Sequence, residues 1–229
     1  PIPNTEVKIG DNGIVYMKNN AIFSAYLHEE DQKQVVDGWL SLGDHGYLDE
    51  LGHLHILDRQ EDVITNINGE IIYPRLVENE LKSSPYIQEA VCFGKEKPYM
   101  TAILNIDMNS VGRWADKNRI LYTEYSDLSR NPKVVELIEQ QVEQLMSKLS
   151  PQNRVKKFSI LHKQFTADQG ELTRTLKIRR NFVEQKYKIL LDGMYSDTQE
   201  VSLTSSQMES VEEEVSLRVI QLKIEQGVA

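Results

Sequence analysis

A chain of 229 residues with 40% hydrophobic side chains is long enough for one large or two small packed domains. Its formal net charge of -9 argues against a nucleic-acid partner, because that affinity comes from clustered Lys and Arg on the phosphate backbone. No apolar run reaches bilayer length, the amino terminus has no charged-then-apolar leader pattern, and one cysteine, Cys92, leaves no internal disulfide. These features predict a soluble protein of a reducing compartment, the cytoplasm. Ala90, Val91 and Phe93 around Cys92 predict a buried thiol.

Pro1 to Glu6, with neither Met nor a capping signal, reads as the start of a piece cut from a longer protein. Glu6-Val7-Lys8-Ile9 alternates, Gly10-Asp11-Asn12-Gly13 turns and Ile14-Val15-Tyr16-Met17 is apolar, which predicts a hairpin. Tyr26 to Val36 is polar and predicts a short helix. Gly38 to Asp44, GWLSLGD, predicts a strand ending in a polar tip, and Tyr47 to Leu57 a second hairpin around the acidic turn Asp49-Glu50-Leu51-Gly52. Residues 1–57 are thus nearly all β and read as a small barrel or sheet with much of its partner surface missing.

Asp58-Arg59-Gln60-Glu61-Asp62 is too charged to be core and predicts a surface joint. Val63-Ile64-Thr65 and Ile71-Ile72-Tyr73 flank Asn68-Gly69, a strong hairpin signal. Pro74 biases Tyr73 out of the helical region, and Arg75 to Leu81 predicts a helix. Strands follow at Tyr86 to Phe93, Tyr99 to Ile106 and Phe158 to Leu161. Helices are predicted at Val111 to Asn118, Asp127 to Leu149 and Arg180 to Leu191, with Pro151 stopping the second. Residues 58–195 thus form a small α+β domain with a three-stranded sheet. Ser196 to Ser206, rich in Ser and Thr, predicts a linker. Met208 to Gln226 predicts a tail helix with Met208, Val211, Val215, Val219 and Leu222 along one stripe.

Three stretches in order, GWLSLGD at Gly38 to Asp44, LDRQEDVITNINGEIIYP at Leu57 to Pro74 and GELTRTLKIRR at Gly170 to Arg180, resemble motifs of the adenylate-forming enzymes, the superfamily of acyl-CoA synthetases, luciferases and peptide-synthetase adenylation domains. The Gly-Glu-Leu-Thr start and dibasic end of the last stretch are similar to the bacterial long-chain fatty acyl-CoA synthetases. The resemblance runs from Thr5 to about Tyr187. It implies the C-terminal portion of such an enzyme, in which a fatty acid is adenylated with ATP and Mg²⁺ and then passed to CoA, while the domain after the joint is mobile and turns between the two steps. The phosphate-binding loop, the fatty-acid pocket and most ATP and Mg²⁺ contacts would lie in an N-terminal domain upstream. The 229 residues alone are accordingly expected to be inactive. A peripheral membrane contact of the parent is compatible with its lipid substrate.

Within that resemblance, Lys177 would bridge the carboxylate and α-phosphate during adenylation, against the plain alternative of a solvated lysine at a helix start. Asp44 would accept the ribose hydroxyls, although Leu42 stands where the family usually has Thr. Arg59 would approach the ribose and α-phosphate; its plain alternative is an ion pair with Asp62 or Glu61. Glu61 occupies the hinge position, where a charge solvated in both orientations suits a pivot. Asn68 and Gly69 would turn the backbone beside the pantetheine channel. Arg154, Lys156 and Lys157 form a basic cluster that reads either as a CoA phosphate contact or as a solvated face. His53 and His55 lack a third ligand, so no metal site is expected. Two further readings stay open: a ligase that loads a carrier protein instead of CoA, and a non-catalytic interaction module that uses the tail helix.

Overall fold

The computed structural model describes residues 4–20, 35–203 and 215–223. It separates into two compact units, Pro1–Val63 and Ile64–Ala229. Arg59 and Glu61 therefore belong to the first unit, past the division expected at residue 57.

The first unit is an antiparallel sheet of β1 (Glu6–Ile9), β2 (Ile14–Lys18), β3 (Val35–Val36), β4 (Trp39–Leu48) and β5 (Leu54–Arg59). The β1–β2 hairpin closes through Gly13, at φ 77°, whose N–H donates to the Gly10 carbonyl at 2.8 Å. Strand β4 pairs with β2 and also with β3 and β5. It runs through GWLSLGD without stopping, so Asp44 lies within a ten-residue strand and not at a strand tip. The helix expected at Tyr26 to Val36 is not seen where the chain is described, since Val35 and Val36 are strand; residues 26–34 lie outside the described residues. Asp58, expected at the surface, is fully buried at the end of β5 opposite His45, and its carboxylate accepts the Arg59 N–H at 2.8 Å. Only the residues after it make the exposed joint.

The second unit begins with the short pair β6 (Ile64–Thr65) and β7 (Ile71–Ile72), followed by α1 (Pro74–Lys82). Next come β8 (Ile87–Phe93), β9 (Met100–Ile106), α2 (Met108–Lys117), α3 (Tyr125–Arg130), α4 (Pro132–Met146), β10 (Val155–Ile160), α5 (Arg180–Lys186) and α6 (Lys188–Met194). The chain ends in β11 (Glu200–Leu203), β12 (Val215–Arg218) and β13 (Ile220–Gln221). The central sheet has the order β13-β10-β9-β8, with β8 antiparallel and β10 parallel to β9. All three expected strands lie in it, and two-residue β13 adds an edge.

Alternation along the strands fills both faces. Ala90, Cys92, Ala102 and Leu104 pack with the buried faces of α1, α2 and α4; Val91, Phe93 and Ile103 pack with Val183, Tyr187 and Leu190 and with the tail strands. Cys92 is 1% exposed, a core thiol as its neighbours predicted. Every residue of β9 is buried, because both of its faces are covered.

Two expected helices are broken. Asp127 to Leu149 divides at Asn131, which is extended (φ -64°, ψ 125°) because Pro132 follows it, and whose side chain caps α4 by accepting the Lys133 N–H at 3.0 Å. Arg180 to Leu191 divides at Tyr187 (φ -103°, ψ 21°). The expected linker and tail helix are corrected as well. Val201 and Leu203 are buried in β11, and Val215 and Leu217 are buried in β12, paired antiparallel with it. The helical stripe Val211, Val215, Val219 competed with a period of two, Val215, Leu217, Val219; the latter wins because β11 and β10 offer strand edges to pair with. Residues 208–214 of that expected helix lie outside the described residues. No described helix is long and apolar enough to cross a membrane.

Candidate functional site

Asp44 and Arg59 are brought together by register. They are direct partners on β4 and β5, and Arg59 Nε lies 3.1 Å from Asp44 Oδ1. The partner of Arg59 is thus the other candidate ribose group, and neither Asp62 nor Glu61. Arg59 is 46% exposed and Asp44 19%, so the pair forms an open acceptor–donor edge suited to hydroxyls and phosphate oxygens. Directly after Arg59 the chain turns: the N–H groups of Asp62 and Val63 donate to the Arg59 carbonyl at 3.0 and 3.1 Å. Glu61 is exposed on this turn, just ahead of the division between the two units.

Asn68 and Gly69 lie on the β6–β7 turn, but a third residue builds it. Buried Asn66 uses its side-chain oxygen to accept the Asn68 and Glu70 N–H groups at 2.9 and 3.0 Å, and its carbonyl accepts the Gly69 N–H at 3.1 Å. This is a longer turn than the two-residue one Asn-Gly suggested; Gly69 has φ 78° and Asn68 is not left-handed. A Cβ on Gly69 would meet nothing within 4 Å, so glycine is required here by φ and the main chain is left open to approach.

Lys177 sits on a tight turn between Leu172 and Ile178, which form an isolated antiparallel bridge. Thr173 closes it twice: its N–H donates to the Lys177 carbonyl at 2.8 Å and its hydroxyl accepts the Lys177 N–H at 3.1 Å. Leu176, ahead of the lysine, is held left-handed at φ 59° with its side chain 70% exposed. Lys177 itself is exposed, and no carboxylate of the described residues pairs with it. A cation presented on an ordered turn with no internal partner is free to meet an anion. No described hydrogen bond or ion pair links this turn to the Gly69 hairpin.

Three charged residues of the second unit carry roles that the sequence reading missed. Glu171 is fully buried at the root of the Lys177 turn. Glu78 on α1 and Arg180 at the start of α5 form a two-bond pair, Nη1 to Oε1 at 2.6 Å and Nη2 to Oε2 at 2.9 Å, while Arg180 Nη1 also donates to the Cys92 carbonyl at 2.7 Å. The second basic residue of the dibasic end is therefore a tie between α5, β8 and α1. The signal for Glu78 was in the helix phase: Pro74, Val77, Glu78 and Leu81 share the buried stripe, so an acid there required a partner.

Two members of the basic cluster, Arg154 and Lys157, donate to backbone carbonyls of the chain itself. Arg154 donates Nε to the Leu149 carbonyl at 2.8 Å, just beyond α4, and Lys157 donates to the Ser196 carbonyl at 2.7 Å. His53 and His55 both contact Asp49 Oδ2 at 3.0 Å, and bonding to His55 and then to the His53 backbone lowers Asp49 to about 2. Among the described residues no group of three or more His, Cys, Asp or Glu is arranged to hold a metal ion.

Residues 61–199 match the family of AMP-binding enzyme C-terminal domains. The chain is 31% identical over 199 residues to the long-chain-fatty-acid–CoA ligase FadD15 of Mycobacterium tuberculosis, an alignment covering 86% of this chain and 33% of that protein. To the long-chain-fatty-acid–CoA ligase ACSBG2 of Rattus norvegicus it is 31% identical over 205 residues, 80% of this chain and 31% of that one. It thus spans about a third of the length of these curated relatives. Among solved structures, the A domain of a carboxylic acid reductase from Segniliparus rugosus, in complex with AMP and a co-purified carboxylic acid, has the same fold: the TM-score is 0.61 at 17% identity, over 83% of this chain and 31% of that chain.

Proposed function

We propose, from the premise that this chain belongs to the family of AMP-binding enzyme C-terminal domains, that it is the C-terminal part of an ATP-dependent long-chain fatty acid–CoA ligase. The observation that carries the reading is Lys177: an exposed ammonium on a turn closed by Thr173, inside the span that matches the family. The fatty-acid substrate class is supported by the two ligases of that name at 31% identity.

In the first half-reaction the fatty carboxylate attacks the α-phosphorus of ATP and pyrophosphate leaves. Two anions must approach, so a fixed cation where charge gathers lowers the barrier. Lys177 supplies it. Asp44 and Arg59, already paired, fit the ribose hydroxyls and the α-phosphate side. In the second half-reaction the CoA thiol attacks the acyl carbonyl and AMP leaves, with the open main chain at Asn68 and Gly69 beside the pantetheine arm. Glu61, solvated on its turn, serves as the pivot by which the domain presents Lys177 or Gly69 in alternation. Mg²⁺ would accompany ATP; no cluster of described residues offers it ligands, and its binding is assigned to the upstream domain of the same protein. The reading places the enzyme in the cytoplasm, where a buried free thiol is stable.

The test is fatty-acid-dependent ATP–pyrophosphate exchange by the full-length enzyme. Lys177→Ala is expected to lower it by about a hundredfold to a thousandfold, roughly 3 to 4 kcal/mol of transition-state stabilisation. Exchange that is indifferent to Lys177→Ala sinks the assignment. Exchange followed by acyl transfer to a phosphopantetheinyl carrier but not to free CoA would replace the acceptor and keep the adenylation step.

A further inference from the structure

Glu171 is the only fully buried carboxylate of the second unit among the described residues, and it stands at the root of the Lys177 turn. Its Oε1 lies 3.0 Å from Lys186 Nζ and 3.6 Å from Lys163 Nζ and accepts the Tyr187 hydroxyl at 2.9 Å; its Oε2 accepts the Thr166 N–H at 3.1 Å. Lys186 and Lys163 are themselves little exposed, 7% and 19%. Both carboxylate oxygens are engaged, so the side chain has one position. Its main chain is held from the other side, where the Glu171 carbonyl accepts the Arg179 N–H at 2.9 Å and the adjoining Leu172 bridges Ile178. Both legs of the turn leave the body of the domain at this residue.

Beyond Glu171, the legs of the turn are held by Leu172 and Ile178, which pack against the core, and by the Leu172 N–H, which donates to the Thr166 carbonyl at 3.2 Å; the tip has no such anchor. Arg174, Thr175, Leu176 and Lys177 are all exposed, and the bonds that close the turn are made within it by Thr173. The bonds made by Thr173 fix the shape of the tip, and the apolar contacts of Leu172 and Ile178, being non-directional, seat the legs without fixing the angle at which the tip projects. A well-packed apolar root would serve stability as well as a buried ion cluster does, because desolvating charges offsets most of their attraction. A saturated carboxylate differs in being directional: it accepts from fixed donors on α5, on Tyr187 and at Thr166, and so sets the angle at which the turn projects.

We propose that Glu171 is a positioning residue that aims Lys177, and that it serves the adenylation half-reaction alone. The inference rests on the reading of Lys177 given above. An aimed ammonium matters where geometry is strict, and a misplacement of about 1 Å can cost on the order of a hundredfold. Acyl transfer from a preformed adenylate, which presents the Gly69 hairpin instead, does not use that aim.

Four forms of the full-length enzyme decide it: native, Lys177→Ala, Glu171→Gln and Lys186→Met. Two rates are measured for each, fatty-acid-dependent ATP–pyrophosphate exchange and conversion of synthetic acyl-adenylate plus CoA to acyl-CoA. Glu171→Gln is expected to reduce exchange by about a hundredfold and leave the second rate near native. Lys186→Met, which keeps the carboxylate with Lys163 and Tyr187, is expected to show the same one-sided loss at smaller size, and it carries the test if Glu171→Gln does not fold. Native exchange in Glu171→Gln, beside a collapse in Lys177→Ala, overturns the positioning role and leaves the ligase reading standing. Parallel loss of both rates in the two root variants overturns it too, as a general structural role would produce. If Lys177→Ala itself exchanges normally, the reading beneath has failed and this inference goes with it.

Discussion

His162, two residues past β10, has a buried Nδ1 with no hydrogen-bond partner and lies beside charges that oppose its protonation. Burial, then the nearby Lys163 and Arg130, lower it to about 4, against a smaller opposing pull from Glu171. A base depressed in the folded state is protonated first in the unfolded chain. Its contribution is therefore complete above the ordinary histidine range near 6.5 and is lost as pH falls from there towards about 4. The urea midpoint is expected to drop over that window, and His162→Phe, which removes the titrating group without leaving a polar atom unpaired, should flatten that part of the profile; parallel profiles would show that other groups cause the slope. The same economy of partners separates the legible residues from the hidden ones. Lys177, Asp44, Arg59, Asn68 and Gly69 were singled out by the three stretches that resemble the adenylate-forming motifs, and by themselves their residue types read equally as solvated or turn residues. Glu171, Asn66 and the Arg180–Glu78 tie are ordinary letters whose partners are distant in the chain, Arg180 and Glu78 being brought within 2.6 Å only by folding.

At the scale of elements, the tail shows how an edge decides conformation. Residues 215–222 can be read with either period, and an isolated segment of that composition would have little preference. The exposed edge of β10 and the pairing of β11 with β12 select strand, and the inward side chains Val201, Leu203, Val215 and Leu217 then complete the core beneath α6. The fit is close at Gly193 of α6: an added Cβ would lie 2.4 Å from Val201 Cγ2. Gly193→Ala, favourable for a helix by propensity, is accordingly expected to destabilise the protein by about 1–3 kcal/mol, measured as a shift of the urea midpoint. A neutral or stabilising effect would mean that β11 does not pack on α6. The broken helices follow a related rule. The break at Asn131 carries a local mark, Pro132, which the reading of a single helix from Asp127 to Leu149 passed over, whereas the break at Tyr187 carries none, because no proline or glycine marks it and its buried hydroxyl is directed to Glu171.

For the whole molecule, a β-rich unit is joined in sequence to an α+β unit, and the chain spans about a third of the length of its curated relatives; the nucleotide edge and the turning domain belong to the function proposed above. The 229 residues alone are expected to give no acyl-CoA from fatty acid, ATP and CoA, because on the proposed reading they correspond to only about a third of the ligases they resemble; turnover by the purified chain would refute that expectation. What the sequence by itself determined is what depends on local chemistry and order: three motifs in series, the charged joint, the glycine turn, the boundaries at Pro74 and Pro151 and the α+β class. What only the tertiary structure decided is what depends on which surfaces meet. The ion pair of Asp44 with Arg59 needed the β4–β5 register, the tail needed a free strand edge, and the burial of Glu171 needed two lysines and a tyrosine from elsewhere in the fold. A buried charge is tolerated only where its partners converge, and convergence is a property of the packed chain, not of the residue.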